Sequence, residues 1–569
     1  MARHSWSMMK RLFAISALLC ASLPTLAMAQ AVASSADPRA SEAGRQILQE
    51  GGSAADAAAA MVAVLTLVEP QSSGIGGGGF LVYHQQGKGI STIDGRETAP
   101  AAAKPDRFLG EDGKPRPFMD IVPGGLSVGV PGNIRLMEMA HKNWGTLRWS
   151  QLLAPAIKLA EGGFEVTPVL HDWLVRFDKN WADFPDARAL YHVDGKPAPV
   201  GTILKNPAYA AFLRKLAAEG PDAFYRGDNA AAISRAVAHA PRNPAELTAA
   251  DLASYQAKQQ PALCTTYRVY KLCGMGPPSS GATTVFGILT MLEGYNLKAM
   301  GKDNAMSWHL LAEAMQLAYA DRDLYMGDAA FVNVPVRGLL DKSYLAGRAG
   351  LISPYVRKGD YQPGTPPGAE ARSPSGPVQE QGTTHFAVVD HQGNVASMTS
   401  TVESIFGSQL MANGYFLNNE MTDFDLSPTK DGAPSANRIE AGKRPLSSMA
   451  PTIVYGPDGK VILAVGSAGG RRIIMHVTKT LIGVLDWDLS AQDAIALPNI
   501  FFNKDGVLIE DNEDGRRIAA DMAPFGYAFT PSALPSKLNA VEQTRAGWVG
   551  AADPRGPGSA SVDGSPPQG

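Results

Sequence analysis

Between residues 353 and 382 the chain carries repeated prolines and glycines, as in Pro363-Gly364-Thr365-Pro366-Pro367-Gly368 and Ser373-Pro374-Ser375-Gly376-Pro377. It then turns, without a spacer, into a strongly strand-like segment. The first part has little to bury and reads as a flexible arm. The second has its own return strand: residues 385–390 are apolar or alternating, His391-Gln392-Gly393-Asn394 makes a turn, and residues 395–401 come back. The fold must therefore seat a rigid hairpin directly after a loose approach, with Gly382 free to take backbone angles barred to other residues. An ordinary interdomain linker is the plainer reading of the arm. The sharper one is that Gly382–Thr383 is a bond set up for self-cleavage, with Thr383 the new N-terminus.

The start of the chain bears on where such an event would occur. Residues 1–11 hold Arg3, Lys10 and Arg11, residues 12–26 are mostly apolar, and Ala27-Met28-Ala29 closes with a small-x-small pattern before Gln30. The expectation is a signal peptide over 1–29 and a mature protein in the periplasm or outside the cell, with no membrane anchor. A length of 569 residues gives room for three or four ordinary domains or for one large core with interleaved halves. With 45% hydrophobic and 18% charged residues the composition is globular, and a net charge of −3 gives no electrostatic reason for a nucleic-acid partner. Beyond the leader the cysteines are Cys264 and Cys273, set to meet across a short hairpin; a disulfide and two separate buried thiols both remain open. The histidines show no metal-ligand spacing, so neither metal nor cofactor is expected. Gly, Pro, Ser and Asp crowd the chain from Trp548, and 556–569 is expected to be a disordered tail.

Residues 43–68 read as helices broken by a Gly51-Gly52-Ser53 turn, Ser53 serving as N-cap. The run Gly74-Ile75-Gly76-Gly77-Gly78-Gly79-Phe80 leads into a strand at 80–84. It lacks the Lys-Ser/Thr of a phosphate cradle and is followed by no helix, which favours close backbone packing beneath a site. A strand at 89–93 ends in Asp94-Gly95-Arg96-Glu97. Residues 152–160 and 309–324 read as long amphipathic helices, with Asp321-Arg322-Asp323 capping or pairing.

A threonine at a free N-terminus carries its own chemistry. Its hydroxyl is a weak nucleophile, but the adjacent α-amine, with a reference pKa of about 7.7, can take the hydroxyl proton. The hairpin returns Thr401 to the start of the first strand, within hydrogen-bonding reach of Thr383; Thr399 lies on the same face further along. A tetrahedral intermediate needs N–H donors, and the strand at 461–466 ends in Gly466-Ser467-Ala468-Gly469-Gly470-Arg471, where Gly469 and Gly470 present them unobstructed. Pro445-Leu446-Ser447-Ser448-Met449 offers two hydroxyls suited to a carboxylate. With an amine base at hand, His385 is expected to be structural.

These motifs resemble the gamma-glutamyltranspeptidase family of N-terminal-nucleophile hydrolases. The agreement runs through Gly76–Phe80 in the glycine cluster, Asp94-Gly95-Arg96-Glu97-Thr98-Ala99-Pro100, Pro277-Pro278-Ser279-Ser280-Gly281, Thr383-Thr384-His385, Asn418-Asn419-Glu420-Met421-Thr422-Asp423-Phe424, Lys443-Arg444-Pro445-Leu446-Ser447-Ser448 and Gly466-Ser467-Ala468-Gly469-Gly470. The resemblance implies an α+β fold, a four-layer αββα sandwich formed jointly by a large subunit, 30–382, and a small one, 383–569. It implies Thr383 as nucleophile with Thr401 as partner, and Gly469 and Gly470 as oxyanion hole. Arg96, Ser447 and Ser448 would clamp the substrate α-carboxylate, and Glu403, Glu420 and Asp423 would surround the α-ammonium, Glu403 standing where some members carry asparagine. The donor would be a γ-glutamyl compound such as glutathione, and the acceptor water, an amino acid or a peptide.

One departure concerns the stretch 425–442, which is shorter than in many members and lacks the tyrosine they carry over the site. The chain thereby resembles the lidless members and comes close to the cephalosporin acylases, which remove a glutaryl group from a β-lactam nucleus. Glutaryl has no α-ammonium, so three acids around it would stand unpaired, and γ-glutamyl is the better match. The non-enzymatic alternative is a γ-glutamyl peptide-binding protein that never matures.

Overall fold

A computed structural model of the chain describes residues 30–375, 382–430, 432–503 and 506–563. The expected leader, the last residues of the arm, 376–381, and the end of the tail, 564–569, lie outside the described residues.

The chain begins with β1 (Val32–Ser35), α1 (Pro38–Gln49), α2 (Ala54–Val68), β2 (Gly78–Gln85), β3 (Gly89–Gly95), α3 (Asn133–Trp144) and α4 (Trp149–Gly162). Then come β4 (Lys258–Gln260), β5 (Leu263–Tyr267), β6 (Tyr270–Gly274), α5 (Gly281–Leu292) and α6 (Ala305–Tyr325). Beyond the arm follow β7 (Gly382–Val389), β8 (Val395–Glu403), β9 (Thr452–Tyr455), β10 (Val461–Gly466), α7 (Arg472–Leu485) and α8 (Ala491–Ala496). The chain closes with β11 (Asn539–Thr544), β12 (Gly547–Ala552) and β13 (Ser559–Val562), shorter elements lying between these.

The strands form two antiparallel sheets, ordered β13-β1-β7-β8-β2-β3-β4 and β12-β11-β10-β9-β6-β5. Val82, Ala387, Val389 and Val395 of the first sheet pack against Cys273, Ile453, Ala464 and Val541 of the second. Helices α1 to α4 cover the outer face of the first sheet, and α5 to α8 that of the second. The result is the α+β, four-layer αββα arrangement. Each sheet lies between helices and its partner sheet, so β7 and β8 are buried at every position and lose the polar-apolar alternation of a strand with one wet face.

Local chemistry fixes the elements nearest the hairpin. The Ser53 hydroxyl accepts from Asp56 N at 3.1 Å and the Asp56 carboxylate accepts from Ser53 N at 3.1 Å, a reciprocal cap that starts α2. Because α2 is apolar and buried on all sides, burial rather than amphipathicity holds it, each Leu or Val contributing about 1.5–3 kcal/mol. In the β7–β8 turn, Asp390 accepts from Gln392 N and Asn394 N, and Gly393 takes a φ of +80°.

Three expectations meet the structure here. Cys264 and Cys273 stand opposite one another on β5 and β6 and are joined by a disulfide. Residues 353–375 contain no helix or strand but are not loose: Gly364 N donates to Asp321 at 2.7 Å and the Tyr361 hydroxyl to Glu313 at 2.6 Å, both acids lying on α6. The disordered tail is corrected over Ser559–Val562, which pairs with β1 as the edge strand; there the small residues fit close against β12. Among the described residues no helix is long and apolar enough to cross a membrane.

Candidate active site

The first residues of β7 alternate between two environments. Thr384 points to the helical side, where its hydroxyl donates to Glu69 at 2.9 Å, just beyond α2. His385 points into the space between the sheets, where Nδ1 lies 2.9 Å from the Thr399 hydroxyl. A Cβ at Gly466 of β10 would come within 2.4 Å of the His385 ring, so glycine is what admits the imidazole. Burial pulls the His385 pKa down to about 3, leaving the ring neutral.

At Gly382 the register slips between Gly382 and Thr384, and this bulge turns Thr383 toward the return strand. The Thr383 hydroxyl lies 2.6 Å from the Gly382 carbonyl oxygen and 3.3 Å from the Thr401 hydroxyl. Thr401 donates to the same carbonyl oxygen at 2.5 Å and accepts from Glu403 N at 2.8 Å. Thr399, the other candidate, is occupied by His385. Glu403, two residues beyond Thr401, holds a φ of +78°, a conformation that costs a non-glycine residue about 1–2 kcal/mol. Such strain is retained where the position of a side chain matters.

Arg96 follows the end of β3 and is fully buried. Its guanidinium pairs with Glu420 and Asp423, which lie on one turn of 3₁₀ helix, and donates to Leu446 O at 2.8 Å. Glu403 Oε2 accepts from Ser404 at 2.5 Å and from the Asn419 amide. Leu446 leads directly into Ser447 and Ser448. The backbone of Ser447 is bridged to the Ser279 loop, and the Ser448 hydroxyl accepts from Arg322 of α6 at 2.7 Å. Gly469 and Gly470 take φ values of +118° and +60° between β10 and α7, and β10 packs across the gap from β7 and β8. Every residue singled out from the sequence is thus placed: Thr383, Thr401 and Glu403 at the hairpin, Arg96, Glu420 and Asp423 in one ion-paired group, Ser447 and Ser448 beside it, Gly469 and Gly470 on the opposing sheet.

Two further residues join them. Glu97 is fully buried and lies against Glu420. Burial pushes its pKa up to about 7 despite Arg96. Burial likewise raises Glu403, Glu420 and Asp423 well above the carboxylate range; repulsion from Asp423 and Glu420 adds to it at Glu403, from Glu97 at Glu420, and from Glu420 at Asp423. Four buried carboxyls, two of them paired with one guanidinium, favour shared protons over full ionisation. Arg322 is the other addition. It pairs with Asp323 at 2.8 Å, as expected of the charged triplet, and its guanidinium also donates to Ser280 and Ser448.

A group that accommodates one further cation and offers a guanidinium and hydroxyls to an anion describes a zwitterion, held beside a threonine hydroxyl. The comparisons agree with that geometry. The family model for gamma-glutamyltranspeptidase matches residues 40–563. The glutathione hydrolase proenzyme of Bacillus subtilis (strain 168) is 39% identical over 479 residues, covering 82% of this chain and 80% of that one. The acylase ACY 1 proenzyme of Pseudomonas sp. (strain SE83) is 35% identical over 512 residues, 89% of this chain and 88% of that one. The crystal structure of cephalosporin acylase from Bacillus halodurans superposes with a TM-score of 0.83 at 25% identity, covering 94% of this chain and 96% of that one. Site, fold and sequence thus converge, and the chain belongs to the gamma-glutamyltranspeptidase family.

Proposed function

We propose that this protein is a γ-glutamyl hydrolase and transferase that matures by cutting its own chain before Thr383. The observation carrying the proposal is the contact of Thr383 and Thr401 with the Gly382 carbonyl, next to a buried group matched to an amino-acid head. In maturation the Thr383 hydroxyl attacks the Gly382 carbonyl carbon. A C–O ester bond forms, the Gly382–Thr383 C–N bond breaks, and the hydroxyl proton ends on the freed amine. Thr401, donating to the carbonyl oxygen, stabilises the charge that develops there. Water then hydrolyses the ester, giving subunits 30–382 and 383–569 and releasing Thr383 as an N-terminus.

In turnover the Thr383 amine takes the hydroxyl proton and the hydroxyl attacks the γ-amide of glutathione or a related donor. Gly469 and Gly470 N–H groups receive the oxyanion. The leaving amine departs with the proton, and water or the amine of an amino acid or peptide resolves the γ-glutamyl ester. Arg96, Ser447 and Ser448 bind the α-carboxylate, while Glu403, Glu420 and Asp423 bind the α-ammonium. The signal-like leader supports action in the periplasm or outside the cell.

A second reading, glutaryl-cephalosporin acylase, is favoured by the acylase relatives and by the tyrosine-free segment 425–442. It leaves the acids around the head group without a cation, so it ranks as a side activity. Intact mass together with initial rates on a γ-glutamyl and a glutaryl anilide tests both. Two chains parting at Gly382–Thr383 and a γ-glutamyl preference are expected. A glutaryl preference would replace the first reading by the second, and a single inert chain would end both.

A further inference from the structure

Thr383 and Thr401 are each followed by a residue tied to one short segment. After α2 the chain runs through Glu69, Pro70, Gln71 and Ser72. The Thr384 hydroxyl donates to Glu69 Oε2 at 2.9 Å, and Val402 N donates to Ser72 O at 3.1 Å. This segment thus spans β7 and β8 immediately beyond the nucleophile and its partner. Its own shape is fixed locally. Glu69 N closes the last turn of α2 on Leu65 O at 2.9 Å, and Ser72 N donates to Glu69 O at 2.8 Å. The Glu69 side chain is buried.

The segment is also held from the second sheet. Lys537, just before β11, donates to Glu69 Oε2 at 2.5 Å and to the Ser72 hydroxyl at 2.6 Å. Asn539, the first residue of β11, donates through its amide to His385 O at 3.1 Å. The start of β7 is therefore gripped from both sides, Thr384 by its side chain and His385 by its carbonyl. The hydrogen bond from Thr384 onto an ionised, buried carboxylate is of the stronger, charge-assisted kind.

The cut changes what this tie does. In the uncut chain Thr383 is held by a peptide bond on each side. Once Gly382–Thr383 is broken, Thr383 is a chain end, and chain ends fray unless tied down. The amine that takes the hydroxyl proton rides on the same residue, so drift of Thr383 displaces nucleophile and base together. We infer that Glu69 and Thr384 are positioning residues for the mature nucleophile. Their hydrogen bond, backed by Lys537, replaces the peptide bond that maturation removes and keeps Thr383 beside Thr401. Both act through Thr383 and not on the substrate. The inference rests on the reading of Thr383 as an N-terminal nucleophile and adds to it what holds that terminus in place.

Thr384→Val tests it, since valine keeps the shape and removes the donor. Glu69 retains Lys537, so no buried charge is stranded. The variant is expected to cut its chain within about threefold of the parent rate, because the peptide bond still holds Thr383 at that stage. Its kcat per cut chain on a γ-glutamyl anilide is expected to fall about tenfold, the effect of a displaced nucleophile. The Ki of L-glutamate, which fills the head-group site alone, should stay within about twofold. Thr384→Ser keeps the donor and should recover most of kcat. Should Thr384→Val fail to fold, Glu69→Gln decides: it keeps an acceptor for Thr384, drops the charge facing Lys537, and is expected to lose about threefold in kcat. An unchanged kcat per cut chain in the variant that decides, even with a lowered Tm, overturns the inference. So does a Thr384→Val that folds but stays uncut. If the parent neither cuts its chain nor cleaves the anilide, the reading of Thr383 itself fails and the tether falls with it.

Discussion

The Thr401 hydroxyl donates to the Gly382 carbonyl oxygen at 2.5 Å, and the Thr383 hydroxyl lies 2.6 Å from that same oxygen. One threonine is thus set against the carbonyl it would attack while the other polarises it. Thr401→Val keeps the shape and removes the donor, so maturation should slow by about 10²-fold, the cost of one oxyanion donor. Thr401→Ser should stay close to the parent. A time course on a denaturing gel reads this directly; equal rates of chain splitting in Thr401→Val would remove Thr401 from the maturation step.

The head-group acids give binding a pH dependence of defined sign. Glu97, Glu403, Glu420 and Asp423 all have raised pKa values, so the substrate-free site holds protons that an incoming α-ammonium displaces. Affinity should then rise with pH. KM for a γ-glutamyl anilide is expected to fall between about pH 6 and 8, and binding heats measured in two buffers should reveal net proton release. Proton uptake on binding would contradict the assignment of this group to an ammonium.

The same shift makes a claim about stability. The Glu97 pKa stands at about 7 in the fold against an ordinary value of 4.5, so the native state binds the extra proton. Its contribution is fully present below pH 4.5 and is lost as pH rises through about 7. Glu97→Gln should therefore raise Tm by about 2 °C or more at pH 8 and leave it nearly unchanged at pH 4. A Tm that drops at pH 8 would mean that Glu97 is a stabilising anion.

Gly469 is limited by both conformation and space. At φ +118° a side chain is strained, and a Cβ there would lie 3.2 Å from His476. Gly469→Ala should swing the loop N–H groups away from Thr383 and reduce kcat by about 10²-fold. Maturation, which uses Thr401 at the carbonyl, should persist. Loss of both activities together would show that the two reactions share one oxyanion site.

The hairpin was legible from the sequence because its signals are local. The turn at residues 391–394 and the strands on each side are placed to within a few residues, as is the Ser53 cap of α2. The glycine run was legible in kind: a Cβ at Gly77 would meet Thr401 O at 1.9 Å, which is the close backbone packing expected. Glu97 and Arg322 were not legible as site residues. Their partners Glu420 and Ser448 are more than a hundred residues away in the chain, and local pattern does not reveal a contact at that separation. Helix α6 misled for a related reason: it reads as amphipathic, but α5 and later segments cover almost all of it. The arm misled too, since no pattern of prolines and glycines reveals that Asp321 and Glu313 wait to receive its backbone and its tyrosine.

The place of β1 in its sheet has one last consequence. It comes from the chain before Gly382, yet both its neighbours, β7 and β13, come from the chain after it. A cut between Gly382 and Thr383 therefore produces two polypeptides without producing two bodies. Parting them means unfolding them, so their association and their folding are one equilibrium. Unfolding of the cut protein releases two chains, so its melting temperature should rise with its concentration where that of the uncut chain does not, and halves synthesised separately would have to fold around one another rather than dock.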